Sequence, residues 1–246
     1  MTAHPDASVW LQCTTPRADA GRRLVCFPHA GGSASFYRDW GPRLPAFEVH
    51  AVRYPGRAER IAEPAPADLR QLGRDIADAL VPLADLPLVL FGHSMGAVVA
   101  LETARHLEQL GVSPAHLFAS GSRNAPLPVP EPFDEDADAV CARLVALGGT
   151  DAEMAADPVF QELVLPYIMS DGRMFTTYDH RPEPVLRCPV TTIVGDRDAD
   201  ADCRPWPALT DGTFMEEVVH GDHFYLVDEP PYPLLTAAEV APARRG

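Results

Sequence analysis

Residues 88–100, with the sequence LVLFGHSMGAVVA, decide the fold of this 246-residue chain. The first four form a continuous apolar run, which is typical of a strand covered on both faces of a parallel sheet. From Gly96 to about Leu110 the pattern predicts a helix, and Gly92 to Gly96 between them match GxSxG. A serine at such a strand-to-helix turn is raised above the sheet, near the positive end of the helix dipole. We therefore predict that Ser94 is a nucleophile.

Strand-like and helix-like stretches alternate on both sides of this segment. Apolar runs at 23–27, 47–52, 116–119, 190–194 and 214–219 predict strands, and residues 68–83 carry apolar side chains at helical spacing. This alternation indicates an α/β fold, with a mostly parallel central sheet and helices on both faces. The length and ordinary composition predict a single domain over residues 1–246.

The segment from about 125 to 184 interrupts the alternation. It opens with four prolines at every second position from Pro126 to Pro132, and helical patterns follow at 134–147 and 158–169. Helices inserted between two sheet strands predict a lid over a site at the strand ends, although a surface excursion without function has the same pattern.

A serine nucleophile needs a base, and the base needs a carboxylate that orients it. In this fold class the order along the chain is serine, acid, histidine. Of the five histidines after Ser94, we select His223, because it stands in a turn directly after the last predicted strand. For the acid we select Asp198, with Asp196 and Asp200 as alternatives in the same loop.

An oxyanion hole requires two backbone N–H donors. One should come from Met95, the residue after the nucleophile, and the other from Ala30 in the loop Phe27–Gly32, FPHAGG. We expect His29 to shape this loop rather than to act as the base. A calcium loop built on the aspartates from Asp196 to Asp202 lacks the central glycine and the terminal glutamate of an EF-hand.

The composition excludes several other classes of protein. A formal charge of −15 argues against nucleic acid and anionic lipid as partners. No apolar run is long enough to predict a membrane helix. Five scattered cysteines predict neither a disulfide framework nor a zinc site. We expect a cytoplasmic protein without cofactor or metal.

Six motifs in order along residues 20–226 carry a resemblance to a known family. They are FPHAGG (27–32), YPGRAER (54–60), GHSMGA (92–97), SGSRNAP (120–126), LGGT (147–150) and GDHF (221–224). With them the chain resembles the type II thioesterases, stand-alone editing hydrolases of polyketide and nonribosomal peptide synthesis.

The resemblance implies an α/β-hydrolase with a helical lid. It implies a substrate acyl group bound as a thioester to the phosphopantetheine arm of an acyl or peptidyl carrier protein, with acyl-CoA as a further substrate in some members. The family's triad falls on Ser94, Asp198 and His223, and its oxyanion donors fall on Ala30 and Met95. SGSRNAP and the lid stretch 169–178 depart from the family pattern, which affects lid shape and acyl preference.

Carrier proteins are typically acidic, so this acidic chain would need a local basic patch to bind one. The candidates for it are Arg38, Arg53, Arg57 and Arg60. Two alternatives to an editing thioesterase remain. One is an acyl-CoA hydrolase or carboxylesterase of the same fold without a carrier partner, and the other is a non-catalytic binding module.

Overall fold

The computed structural model describes residues 6–129, 132–133 and 135–238. Its strands are β1 Leu11–Gln12, β2 Arg22–Phe27, β3 Phe47–Val52, β4 Leu88–His93, β5 His116–Ser120, β6 Ser122–Asn124, β7 Val190–Gly195, β8 Asp202–Arg204 and β9 Phe214–Val219. Its α-helices are α1 Ala7–Trp10, α2 Trp40–Arg43, α3 Leu69–Leu80, α4 Met95–Gln109, α5 Ala137–Ala146, α6 Ala152–Ala156, α7 Leu165–Thr176, α8 Tyr225–Asp228 and α9 Tyr232–Ala237. Short 3₁₀ helices span Ala34–Tyr37, Ala58–Arg60, Val81–Leu83 and Trp206–Leu209, and a π-helix spans Phe160–Val164.

Seven strands form the central sheet, in the order β1-β3-β2-β4-β5-β7-β9. All neighbouring pairs are parallel except β1 with β3. Parallel strands have their carboxyl ends at one edge of the sheet, so the loops after β2, β4, β5, β7 and β9 meet there. The predicted site residues all follow one of these strand ends.

The two faces of the sheet have separate apolar cores, because successive side chains of a strand point to opposite faces. In β4, Leu88 and Leu90 pack in the core that α3 and α4 cover, whereas Val89 and Phe91 pack in the core that α2, α8 and α9 cover. Every residue of β4 is buried, as the apolar run predicts for a central strand.

Three helices and a π-helix turn lie between β6 and β7, in the segment for which the sequence predicts a lid. The first, α5, begins at Ala137, three residues later than the pattern indicates; Asp134 itself is outside the described residues. The helix predicted at 158–169 begins at the predicted position but ends later, because the chain is helical from 158 through the π-helix turn Phe160–Val164 and α7 to Thr176. Pro166 has no N–H to continue the regular helical hydrogen bonds, and the π-helix turn ends two residues before it.

The shortest helices and strands were not predicted, because two to four residues are too few to show a periodic spacing of apolar side chains. They include β1, the two-stranded pair β6 and β8, and α8 directly after the GDHF motif. In the described part of the chain, no helix combines the length and the apolar character that crossing a membrane requires.

Candidate active site

Ser94 lies at the turn that joins β4 to α4, which we call the elbow. Its backbone has φ 54° and ψ −123°, and such a conformation costs a non-glycine residue about 1–3 kcal/mol. Its N–H donates to Ser120 O at 2.8 Å, which ties the turn to the end of β5. Ser94 is partly exposed, although residues 88–93 and 95–100 are all buried. Its hydroxyl makes no hydrogen bond to any described residue. The strained turn therefore exposes Ser94 at the sheet edge, while its neighbours on both sides in the sequence stay buried.

The two glycines of GxSxG are required by close backbone contacts. A Cβ atom on Gly92 would lie 2.2 Å from Gly96 O, and one on Gly96 would lie 2.2 Å from Phe27 O. Real Cβ contacts essentially never fall below 3.0 Å. Strand β4, the first turn of α4 and the end of β2 thus approach each other only because neither position carries a side chain.

The predicted base and acid are hydrogen-bonded to each other. His223 Nδ1 lies 3.0 Å from Asp198 Oδ2, and the two residues are 6% and 3% exposed. Because a carboxylate oxygen accepts hydrogen bonds, we assign the ring proton to Nδ1, which leaves Nε2 as an acceptor. The arrangement holds the imidazole in the tautomer that a general base requires.

The sheet places this pair at the same edge as Ser94. Gly195 at the end of β7 is paired with Val219 at the end of β9, so the loops that carry the acid and the base begin side by side. The ring of His223 lies 5.0 Å from the ring of His93, the residue before the serine. A Cβ atom on Gly121 would lie 3.1 Å from His223 Cε1. Strands β4, β5, β7 and β9 together position the imidazole.

The other carboxylates of the acid loop have different partners. Asp196 accepts from Gly221 N at 2.9 Å and lies 3.1 Å from His220 Nδ1, and these contacts hold its pKa below the usual value. Asp200 forms an exposed ion pair with Arg143 at 3.0 Å. Of the three candidates, the structure brings only Asp198 to His223. Because their partners differ, these side chains also do not converge as calcium ligands would.

Both predicted oxyanion donors are available. Met95 is the first residue of α4, and Ala30 lies in the turn that the hydrogen bond from Gly32 N to His29 O closes at 2.9 Å. Neither the Met95 nor the Ala30 N–H donates to any described residue. Gly96 packs against the carbonyl of Phe27, so the two donor segments are in direct contact.

Two further histidines, the buried His93 and the partly buried His29, lie near the catalytic edge. His93 is 0% exposed, and its Nδ1 lies 2.9 Å from Ser120 Oγ. Burial, with smaller contributions from His223 and Arg57, lowers the pKa of His29 to about 3, so its ring is neutral. Phe224 packs against all three rings, with its centroid 4.9 Å from His29, 5.4 Å from His93 and 5.2 Å from His223.

Sequence reasoning assigned no role to His93 or to the ring of Phe224. The available signal was their place inside GHSMGA and GDHF, one residue from the predicted nucleophile and base.

The predicted basic patch is wrong in two of its four members. Arg57 and Arg60 are 2% and 8% exposed, and each pairs with a carboxylate, Asp171 and Glu63 respectively. The side chain of Arg38 is 70% exposed. Arginines in a loop were expected at the surface, but these two are buried by contacts that only the folded chain creates.

A further group of possible metal ligands lies on β3 and directly after β1. Among the described residues, Cys13, Glu48 and His50 place one ligand atom each within 4.8 Å of one another. Glu48 already forms an ion pair with Arg23 at 2.8 Å, and a cation would have to displace it.

A parallel sheet with a strained serine at this strand-to-helix turn defines an α/β-hydrolase. Comparison with protein families matches residues 22–235 to the thioesterase domain family. The chain is 40% identical to thioesterase PikA5 of Streptomyces venezuelae over 93% of its length and 85% of the relative's.

Solved structures agree with this match. The type II thioesterase BorB of the borrelidin biosynthetic cluster superposes with a TM-score of 0.80 at 34% identity, covering 96% of this chain and 98% of BorB. YbtT, a type II thioesterase of the yersiniabactin pathway, gives 0.81 at 30% identity, covering 92% and 95%. The chain belongs to the thioesterase family and is a thioester hydrolase of the α/β-hydrolase fold.

Proposed function

We propose that the chain hydrolyses acyl thioesters in two steps through an acyl-Ser94 intermediate. His223 Nε2 takes the Ser94 proton while Oγ attacks the thioester carbonyl, and the Ala30 and Met95 N–H groups bind the resulting oxyanion. The C–S bond then breaks, and His223 returns its proton to the leaving thiolate. In the second step His223 takes a proton from water, which attacks the carbonyl of the acyl ester. The C–O bond to Ser94 then breaks, His223 returns the proton to Ser94 Oγ, and a carboxylic acid is released.

The observation that carries this proposal is the 3.0 Å contact between His223 Nδ1 and Asp198 Oδ2 at the sheet edge where the strained Ser94 turn ends. A structural histidine needs no buried carboxylate, whereas a general base gains orientation and a stabilised imidazolium from it.

Trapping the intermediate tests the chemistry. Mixing enzyme with a slowly hydrolysed acyl thioester should add one acyl mass to the peptide that contains Ser94, and Ser94→Ala should remove both the adduct and turnover. His223→Gln should abolish the adduct without unfolding the protein. An adduct on another residue, or turnover by Ser94→Ala, would contradict the mechanism.

We further propose that the acyl group is delivered on the phosphopantetheine arm of a carrier protein, where the enzyme removes stalled or aberrant units. The support is the similarity to BorB and YbtT, which belong to a borrelidin cluster and to a yersiniabactin NRPS/PKS pathway. An acyl-CoA hydrolase or carboxylesterase would have the same catalytic residues, so the carrier has to be tested by substrate comparison.

The test compares one acyl group on three leaving groups: a holo carrier protein, coenzyme A and a simple alcohol. An editing thioesterase should have the highest kcat/KM on the carrier-bound thioester, and Ser94→Ala provides the background. Equal kcat/KM on carrier and coenzyme A would favour the acyl-CoA hydrolase. Preference for the oxygen ester would favour a carboxylesterase, and binding of the carrier without turnover would identify a binding module.

Charge limits how such a carrier could bind. The net charge of −15 repels an acidic partner, so the interface must be small and local. Of the predicted arginines, Arg38 retains the exposure that a contact residue needs. We propose a cytoplasmic location for the reaction, in keeping with five cysteines that are all free thiols.

A further inference from the structure

Asp171 is a fully buried carboxylate on the lid helix α7, and the proposed reaction does not use it. Its Oδ2 accepts from Gly31 N at 2.8 Å and from Arg57 Nη1 at 2.6 Å, and its Oδ1 accepts from Arg57 Nη2. The side chain of Arg57 is 1% exposed. Because desolvation of an ion pair is expensive, replacing such a pair with apolar residues is often neutral for stability. Stability alone therefore does not explain this pair.

The pair acts on the turn that contains the proposed oxyanion donor Ala30. Gly31 occupies the third position of the His29–Gly32 turn with φ +76°, which makes it a type II turn. Turns of types I and II differ by a flip of the central peptide, here the peptide between Ala30 and Gly31. Asp171 accepts the N–H of that peptide, and Arg57 Nη1 donates to Gly32 O, the carbonyl of the last residue of the turn, at 3.2 Å.

Helix α7 also packs directly on this turn. A Cβ atom on Gly31 would lie 2.6 Å from Ile168 Cγ1, one helical turn before Asp171. The Arg57 guanidinium lies over the rings of Tyr167, at 4.9 Å, and Tyr54, at 5.3 Å. The conformation of the turn and the position of α7 are therefore determined by the same contacts.

We propose that Asp171 is a positioning residue for the oxyanion hole. By holding Gly31 N–H it fixes the turn that presents the Ala30 N–H, and Arg57 neutralises the carboxylate so that it does not oppose the developing oxyanion. A complete oxyanion hole then requires α7 to be packed against the His29–Gly32 turn. The inference rests on the role of Ala30 in the proposed function.

Two double variants separate this role from the stability of the ion pair. Asn and Leu have the same side-chain branching as Asp, and both remove its charge, but only Asn keeps an acceptor for Gly31 N–H. Each is combined with Arg57→Met, so that no buried charge is left unpaired. Arg57→Met/Asp171→Asn should keep kcat within about threefold of the wild type. Arg57→Met/Asp171→Leu should lower kcat by about 10- to 100-fold, with KM nearly unchanged.

A boronic acid that forms a tetrahedral adduct on Ser94 provides a second readout. Its inhibition constant should weaken in the Leu variant by about the same factor as kcat, because the adduct also places an oxygen in the hole. The control is Arg105→Met/Glu102→Leu, which replaces another buried ion pair outside the site with apolar side chains. The side chains of Arg105 and Glu102 are 3% and 9% exposed. The kcat of this control should remain within about twofold of the wild type.

Equal kcat values for the Asn and Leu variants would overturn the proposal. If the wild type itself showed no Ser94-dependent hydrolysis, the proposed function would fail instead. Should neither variant fold, amide hydrogen exchange in the wild type decides: Gly31 N–H should exchange more slowly than Ala30 N–H. Equal exchange of the two amides would show that Asp171 does not hold the turn.

Discussion

Replacing Gly96 by alanine tests whether the elbow needs glycine at this position because a side chain would collide with the backbone of β2. The new Cβ atom would lie 2.2 Å from Phe27 O and 2.6 Å from Pro28 O, which are both backbone atoms. Reaching the 3.0 Å limit requires a displacement of about 0.8 Å. Phe27 ends β2, which is hydrogen-bonded to β3 on one side and β4 on the other, so the displacement strains the centre of the sheet.

Two effects oppose each other at this position. Alanine is favoured over glycine in a helix by up to about 1 kcal/mol. Overpacking costs about 1–3 kcal/mol, and the upper end applies because no flexible side chain can yield. We expect the free energy of unfolding to fall by about 2 kcal/mol. The control Gly21→Ala, whose Cβ would have nothing within 4 Å, should change it by less than about 0.5 kcal/mol.

Urea denaturation followed by tryptophan fluorescence measures this difference, and kcat is measured on the same samples. The displaced carbonyls of Phe27 and Pro28 lead into the turn with Ala30, so kcat should fall by about 10²-fold. A denaturation midpoint equal to or above that of the wild type, at unchanged m-value, would refute the steric explanation of the motif.

Three further results are expected. Asp198→Asn should lower steady-state kcat by about 10³- to 10⁴-fold with little change in KM, because the imidazole loses its orienting acceptor. The control Asp196→Asn should change kcat by less than about threefold. Similar losses of kcat in both variants would contradict the choice of Asp198 as the acid. Burial lowers the pKa of His116 to about 4, so the unfolded state binds a proton below pH 6.5 that the folded state does not, and stability is lost as the pH falls from 6.5 to 4. His116→Asn should reduce that slope by up to about 1.4 kcal/mol per pH unit in urea titrations at several pH values, and an unchanged slope would exclude this linkage. Tyr225→Phe removes the hydroxyl that lies 2.7 Å from Ser120 Oγ and should cost about 1 kcal/mol in thermal or urea unfolding; a variant as stable as the wild type would show that this bond contributes nothing.

The elbow was predictable because its requirements are local. A buried strand, two glycines four residues apart and a helix of small apolar residues are consecutive in sequence, and their geometry depends on backbone sterics within those residues. The alternation of strands and helices indicates the parallel sheet, and the order of serine, acid and histidine along the chain is the one that this fold class has.

Neighbouring residues in the sequence do not determine which of the three aspartates is the acid. All three follow the same strand within five residues, and the sequence offers no period to separate them. The hydrogen bond from Asp198 N to Gly195 O at 3.1 Å turns the loop back on the strand end, and this places only Asp198 against the imidazole.

The sequence by itself determined the parallel sheet, the position of the elbow and the residues at its edge, because apolar periodicity and glycine sterics act between near neighbours. Only the tertiary structure decided which carboxylate reaches His223. It also decided that Arg57 is buried against Asp171 of α7, 114 positions further along the chain. Such contacts depend on how the helices pack on the sheet. A charged residue that becomes paired and buried has the same local sequence pattern as one that remains in solvent.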